Sequence, residues 1–227
     1  MTGIEASRIV VIGAGGALGQ AVAQRCASTG ADVHGVDQHV PPREHQLETV
    51  NYHALDVTND DAVRAWFDEQ PVPWAVLNVV GGFAGARPIE ELDIAELEGQ
   101  LRLNLFTAAI LTKHAIRRMR PVSAGRIVHT ASRAALVTEG TGFAYSVSKL
   151  AVLHLVAMAA RELRGTGVTV NAVVPSIMDT AANRAAMPSA RHDSWPTVAQ
   201  VAQVFAFLAS PDAALVSGAS VPVYGGT

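Results

Sequence analysis

The chain has 227 residues, 49% of them apolar and 16% charged, with a formal net charge of −3 and one cysteine, Cys26. That balance supplies a sizeable core and excludes a disordered chain, and the charge gives no footprint for nucleic acid or an acidic membrane surface. A single cysteine excludes an internal disulfide and a Cys-rich zinc site.

No charged-then-apolar leader precedes Arg8, and no uninterrupted apolar run reaches the roughly 18 residues of a membrane span, so a cytoplasmic protein is expected. Arg8–Ile12 is a β-branched run that reads as a buried strand. Gly13-Ala14-Gly15-Gly16-Ala17-Leu18-Gly19 follows, then a helical pattern from Gln20 to Ser28 and a second strand, Ala31–Val36, ending at Asp37. Strand, glycine-rich turn, helix and strand make a βαβ unit. Residues 38–50, with Pro41-Pro42, read as loop, His53–Val57 as strand three, and Asn59 or Asp60 to Gln70 as a helix. Strand four is Trp74–Val80, ending at Gly81-Gly82. A short helix near Glu90–Glu98 precedes a long one, Leu101–Met119. Arg126–Thr130 is strand five, Tyr145–Leu163 an apolar helix, and Gly167–Val174 strand six, stopped by Pro175. Residues 176–196 read as a loop or lid, Val198–Ala209 as the last helix and Ala219–Val223 as the last strand. Strands that are almost continuously apolar, alternating with helices, predict one α/β domain over 1–227 with a doubly wound, parallel, seven-stranded sheet.

Two places carry chemistry. Glycines between a strand and a helix let a pyrophosphate reach the amide N–H groups at the helix N-terminus. Asp37, eighteen residues after Gly19, stands where a ribose diol would be held. The bland alternative is that the glycines only pack helix on sheet and Asp37 caps a loop. Further on, Tyr145 and Lys149 lie four apart and so share a helix face. A phenol of pKa about 10 needs a neighbouring cation to work near neutral pH. Ser132 lies just past strand five, at the edge where parallel sheets bind ligands, and Asn104 lies in the long helix before it.

With these residues in order, together with Asp56, Asn78-Val79-Val80-Gly81, Pro175, Thr180 and Gly225-Gly226, the chain resembles the short-chain dehydrogenase/reductase family over essentially its whole length. The resemblance implies a Rossmann-type fold and hydride transfer between a nicotinamide cofactor and a carbonyl/alcohol or C=N substrate. It implies Tyr145 as general acid/base, Lys149 lowering its pKa and binding the nicotinamide ribose, Ser132 bonding the substrate oxygen, and Asn104 anchoring a water that leads to Lys149. It implies a cofactor site lined by Gly13, Gly16, Ala17, Leu18, Gly19, Asp37, Asp56, Val57, Asn78, Val80, Gly81, Tyr145, Lys149, Pro175, Ile177 and Thr180. The chain departs from the family pattern at Ala17, at Val79-Val80 and at Ser176. Gly16–Gly19, Val80–Gly85 and the Met178–Trp195 segment are similar to the dihydropteridine reductase branch, which lacks a serine at the position of Ser132.

Asp37 followed by Gln38 and His39 rather than arginine predicts NAD(H) over NADP(H). Phe83, Met187 and Trp195 are expected to wall a planar, apolar substrate slot beneath a mobile lid. The surplus of apolar residues on Leu101–Met119 and Tyr145–Leu163 (Leu105, Ala108, Ala109, Leu153 and Ala157 among them) predicts a homodimer or homotetramer through those helices, which relatives pair across a two-fold axis. None of the eight histidines shows a metal-ligand spacing. The rival reading from another class is a non-catalytic dinucleotide-binding sensor, which would have no reason to keep Asn104, Ser132, Tyr145 and Lys149 together.

Overall fold

The structure is a computed structural model in which residues 7–84, 87–137 and 142–226 are described. Residues 1–6, where the sequence reading looked for a leader, and Gly85 of the run after strand four lie outside the described residues. Seven parallel strands form one sheet in the order β3-β2-β1-β4-β5-β6-β7, with β1 Arg8–Ile12, β2 Asp32–Asp37, β3 Val50–Ala54, β4 Ala75–Asn78, β5 Gly125–Thr130, β6 Val168–Pro175 and β7 Ser220–Val223. Helices α1 (Ala17–Ala27), α2 (Asp60–Glu69), α3 (Ile94–Gln100), α4 (Thr107–Met119), α5 (Phe143–Glu162), α6 (Ala181–Ala186) and α7 (Val198–Ala209) connect them.

Strand alternation sorts the core into two layers. Ile9 and Val11 of β1 face one way with Leu77, Val128 and Val173, and are covered by α1 and α7. Val10 and Ile12 face the other way with Val76, Ile127 and Val170, and are covered by α2, α4 and α5. Each such side chain, fully buried, contributes about 1.5–3 kcal/mol. This is the doubly wound α/β domain expected. Its topological switch lies between β1 and β4, whose carboxyl ends open onto the glycine-rich turn.

Three elements differ from the sequence reading. Strand three begins at Val50 rather than His53, because this edge strand is polar and half-exposed while the apolar Leu55 and Val57 follow it. The long helix is not α-helical throughout: Leu101–Phe106 is a π-helical segment, followed by α4. The lid contains α6, whose Thr180 cap accepts a hydrogen bond from the Asn183 amide at 3.2 Å.

Candidate active site

A cavity of about 980 Å³ runs along the carboxyl ends of the strands. Its cofactor end is built by the turn between β1 and α1. There the first helical amides follow Gly16, which supplies no side-chain cap, so the first turn keeps free N–H donors at the positive end of the helix dipole. Gly19 makes the turn possible: a Cβ there would meet the Gly13 carbonyl oxygen at 2.0 Å. The Asp37 carboxylate closes the turn, accepting from the Gly15 amide at 2.9 Å and from Gln38 at 2.7 Å. Uncapped amides, a backbone no side chain obstructs and a carboxylate at the end of β2 fit a nicotinamide dinucleotide.

Gly13, Gly16, Ala17, Leu18, Gly19, Gly81, Tyr145, Lys149, Pro175, Ile177 and Thr180 line the cavity. Asp37, Asp56, Val57, Asn78 and Val80 stand outside that lining. Asp56 is exposed and accepts from the Thr58 hydroxyl at 2.7 Å and amide at 2.9 Å, which lowers its pKa. Asn78 is buried: its Oδ1 accepts from the Val80 amide at 3.1 Å and its Nδ2 donates to His129 Nδ1 at 3.1 Å. The neutral His129 ring therefore carries its proton on Nε2, which donates to Thr112 of α4 at 2.8 Å. Burial, seconded by the Lys149 charge, pulls His129 down to about 3. This ring ties the end of β4 to α4, and it was not singled out from the sequence. A histidine inside an otherwise apolar strand was the available signal, since a buried polar group must be bonded.

At the chemical end, Ser132 caps a short 3-10 turn after β5, its hydroxyl accepting from the Ala134 amide at 3.2 Å, and it stands close enough to the Tyr145 phenol to work against the rise in its pKa. Lys149, 3% exposed, donates from Nζ to the Thr130 carbonyl at 2.9 Å and lies 6.0 Å from the Tyr145 ring centroid. Burial lowers Lys149 to about 8 and raises Tyr145 above its ordinary value, the neighbouring Ser132 hydroxyl opposing the latter. The expected depression of the phenol by Lys149 does not appear in this geometry, because the ammonium is turned to a carbonyl and desolvation dominates.

The π-helical segment aims Asn104 inward. Its Nδ2 donates to Ser148 Oγ at 3.0 Å, Gln100 Oε1 at 3.1 Å and the Gly82 carbonyl at 3.3 Å, and its Oδ1 accepts from the Gly82 amide at 3.3 Å. Ser148, also unforeseen, donates on to the Tyr145 carbonyl at 2.7 Å. Gly81 admits both partners: a Cβ there would meet Lys149 Nζ at 2.6 Å and Asn104 Oδ1 at 2.8 Å. Asn104, Ser132, Tyr145 and Lys149 thus converge from three segments, the last two sharing α5. A hydroxyl pair able to hold a carbonyl oxygen beside a cation is a proton-transfer site.

The expected substrate wall divides. Phe83, 63% exposed, stands edge-on to Tyr145 with ring centroids 5.2 Å apart, and both Phe83 and Met187 line the cavity. Trp195 does not. It is 7% exposed, packed on the His192 ring at 4.6 Å, in the anchored base of the lid where Asp179 bridges to Thr197. An aromatic residue at the return of a loop packs inward more readily than a loop tip, and the sequence could not tell the two apart. In its place the cavity has Arg133, directly after Ser132.

A family model described as enoyl-(acyl carrier protein) reductase matches residues 13–227. The chain is 32% identical to the cis-4-hydroxycyclohexanecarboxylate dehydrogenase of Sinomonas cyclohexanicum, covering 96% of this chain and 94% of that protein. It is 28% identical to the D-threitol dehydrogenase of Mycolicibacterium smegmatis, covering 96% of this chain and 91% of that protein. Among solved structures, that of a short-chain type dehydrogenase/reductase from Mycobacterium ulcerans matches with a TM-score of 0.89 at 27% identity, covering 99% of this chain and 90% of that chain.

Proposed function

The chain belongs to the short-chain dehydrogenase/reductase family of NAD(P)-dependent oxidoreductases, and from that premise we propose that it uses NAD(H) to interconvert a ketone and an alcohol on a cyclic, largely apolar substrate. The observation that carries this reading is the Ser132 and Tyr145 hydroxyl pair, both residues lining the one cavity with Lys149 one helical turn away on α5. A bound nicotinamide supplies or accepts the hydride. Tyr145 gives its proton to the carbonyl oxygen in reduction and removes it from the alcohol in oxidation. Burial keeps the phenol protonated at neutral pH, the form that reduction needs. Ser132 donates a hydrogen bond to the same oxygen as its charge grows. Lys149 binds the nicotinamide ribose and returns a proton to Tyr145, with Asn104 anchoring the water between them and solvent.

NAD(H) is favoured over NADP(H) by the Asp37 carboxylate, which would repel a 2′-phosphate. Gly15 beside it offers no cationic side chain, and a Cβ there would meet Asp37 Oδ2 at 3.0 Å. Ring substrates are favoured by Phe83, whose ring stands edge-on to Tyr145 in the cavity wall. The dehydrogenase relatives named above, one of them acting on a hydroxylated ring, support alcohol/ketone chemistry over C=N. The protein is also proposed to assemble as a homodimer or homotetramer.

The test is turnover of NADH with cyclic ketones, diketones, quinones and quinonoid dihydropteridine by wild type and Tyr145→Phe. The variant is expected to fold and bind NADH yet lose about 10²–10⁴-fold in kcat, the usual contribution of a general acid/base. Unchanged kcat in Tyr145→Phe overturns the assignment.

A further inference from the structure

We propose that Arg133 is a specificity-determining residue that holds a carboxylate on the substrate, at the end of the molecule remote from the reacting oxygen. This rests on the oxidoreductase reading, since Ser132 and Tyr145 define where that oxygen sits. Four observations lead to it. First, among the described residues lining the cavity the formal charges are Arg133 and Lys149, both cationic, with no carboxylate to balance them. Lys149 is committed, buried and bonded to the Thr130 carbonyl. Second, the two arginines of the 176–196 segment, Arg184 and Arg191, already have carboxylate partners. Arg184 makes a two-pronged pair with Asp179 at 2.5 and 2.8 Å, and Arg191 stands 3.9 Å from Asp193 away from the cavity lining. Arg133 makes no ion pair among the described residues.

Third, its guanidinium is held in place. It lies 5.3 Å from the centroid of the Tyr224 ring, and the Tyr224 backbone is itself fixed by the Ser176 hydroxyl, which donates to its carbonyl at 2.9 Å. Stacking on an aromatic face orients the planar group while leaving its N–H edge free, the arrangement that takes a carboxylate through two parallel hydrogen bonds. Fourth, Ser132 has φ −159° and ψ 149°, an extended backbone from which successive side chains leave on opposite sides. The hydroxyl and the guanidinium therefore leave the backbone in different directions while both residues line one cavity, with Phe83, Val137 and Met187 also in its wall. One guanidinium without a second free cation matches a carboxylate rather than a phosphate dianion. The substrate is then an oxo or hydroxy acid with an apolar ring between its two polar ends.

The experiment is a comparison of kcat/KM for 4-acetylbenzoate and its neutral methyl ester, with NADH, in wild type, Arg133→Met, Arg133→Lys and Arg133→Gln. Wild type is expected to prefer the carboxylate. In Arg133→Met the carboxylate-to-ester ratio falls about 10- to 100-fold, the range set by loss of a charged hydrogen bond, and mostly through KM. Arg133→Lys keeps part of the preference, since it keeps the charge but not the fork. Arg133→Gln serves if the methionine variant does not fold. An unchanged ratio in either neutral variant, or a wild type indifferent to the charge, overturns the proposal. If wild type turns over neither ketone, the ketone-reduction reading fails for this ring, and calorimetric titration of benzoate into the NADH complex decides Arg133 by itself. Weaker binding in the neutral variants upholds it and equal binding overturns it.

Discussion

Lys149 sits in a protein interior that suits its neutral form better than its ammonium, which is why its pKa falls to about 8 from an ordinary 10.5. The consequence for stability follows from proton counting. Between pH 8 and 10.5 the unfolded chain keeps the lysine proton and the folded chain has shed it, so the contribution of Lys149 to the stability of the cofactor-free protein rises with pH across that window, opposed above about pH 9 by the buried Cys26 thiol, which is pushed up to about 12. The rise approaches about 1.4 kcal/mol per pH unit. Lys149→Met should lack it, in thermal melts taken from pH 7.5 to 9.5; parallel profiles in the two proteins would mean that the site does not desolvate the ammonium. Asp37 gives a second residue-level expectation. Asp37→Ser should narrow the gap between NADH and NADPH in kcat/KM by about tenfold or more, since like charges no longer meet at the 2′ position. An equal preference already in wild type would refute the assignment. Tyr145, Lys149 and Ser132 were readable in the sequence because local spacing and a position after a strand carry the signal, whereas Asn104, inside a long helix, came only with the family resemblance. Arg133, Ser148 and His129 were not, because what makes them matter is a partner distant in the chain: Tyr224, Asn104, and the Asn78–Thr112 pair.

The turn between β1 and α1 depends on space at one glycine far more than at its neighbour. At Gly19 an added Cβ meets backbone, the Gly13 carbonyl at 2.0 Å, so α1 must move off the sheet; at Gly16 the nearest atom is at 3.6 Å, an ordinary contact. Gly19→Ala should cost about 3 kcal/mol or more and weaken dinucleotide binding, whereas Gly16→Ala should change stability by no more than about 1 kcal/mol. Denaturant melts of the two variants, with fluorescence titration of NADH, separate them; similar losses in both would show that the turn adjusts freely. The order of elements was legible from apolar periodicity and turn residues. Less was legible where an element is set by tertiary contacts. β3 is an edge strand placed by its pairing with β2, through Val33↔Val50 to Asp37↔Ala54. The π-helical segment at Leu101–Phe106 looks like any helix in composition, although it is what turns Asn104 into the site.

At the scale of the whole molecule, α5 has two apolar sides. Its inner side packs on β6 and the π-helical segment and carries Tyr145 and Lys149. By length and apolar composition alone α5 could cross a membrane, but that inner side is committed to the sheet and the active site. The outer side is a stripe at helical spacing: Phe143, Leu150, His154, Ala157 and Met158 are all exposed, with Leu150 at 51% and Met158 at 56%. The residues that sequence periodicity offered for an interface sort differently, since Ala108 and Leu153 are buried within the protomer while Ala157 remains on the surface. An apolar stripe of this kind is covered most simply by its own copy across a two-fold axis, where each residue meets the same surface on the partner. Sedimentation at micromolar concentration should therefore give a multiple of the 23.8 kDa protomer. Leu150→Glu places two carboxylates in that shared, water-excluded surface and should yield monomers, with the fold kept because position 150 is exposed in the protomer. Thermal melts of Leu150→Glu should lose their dependence on protein concentration, as mass action requires when folding and assembly are linked. A wild type that sediments as one protomer, or a Leu150→Glu variant that assembles unchanged, would move the interface elsewhere.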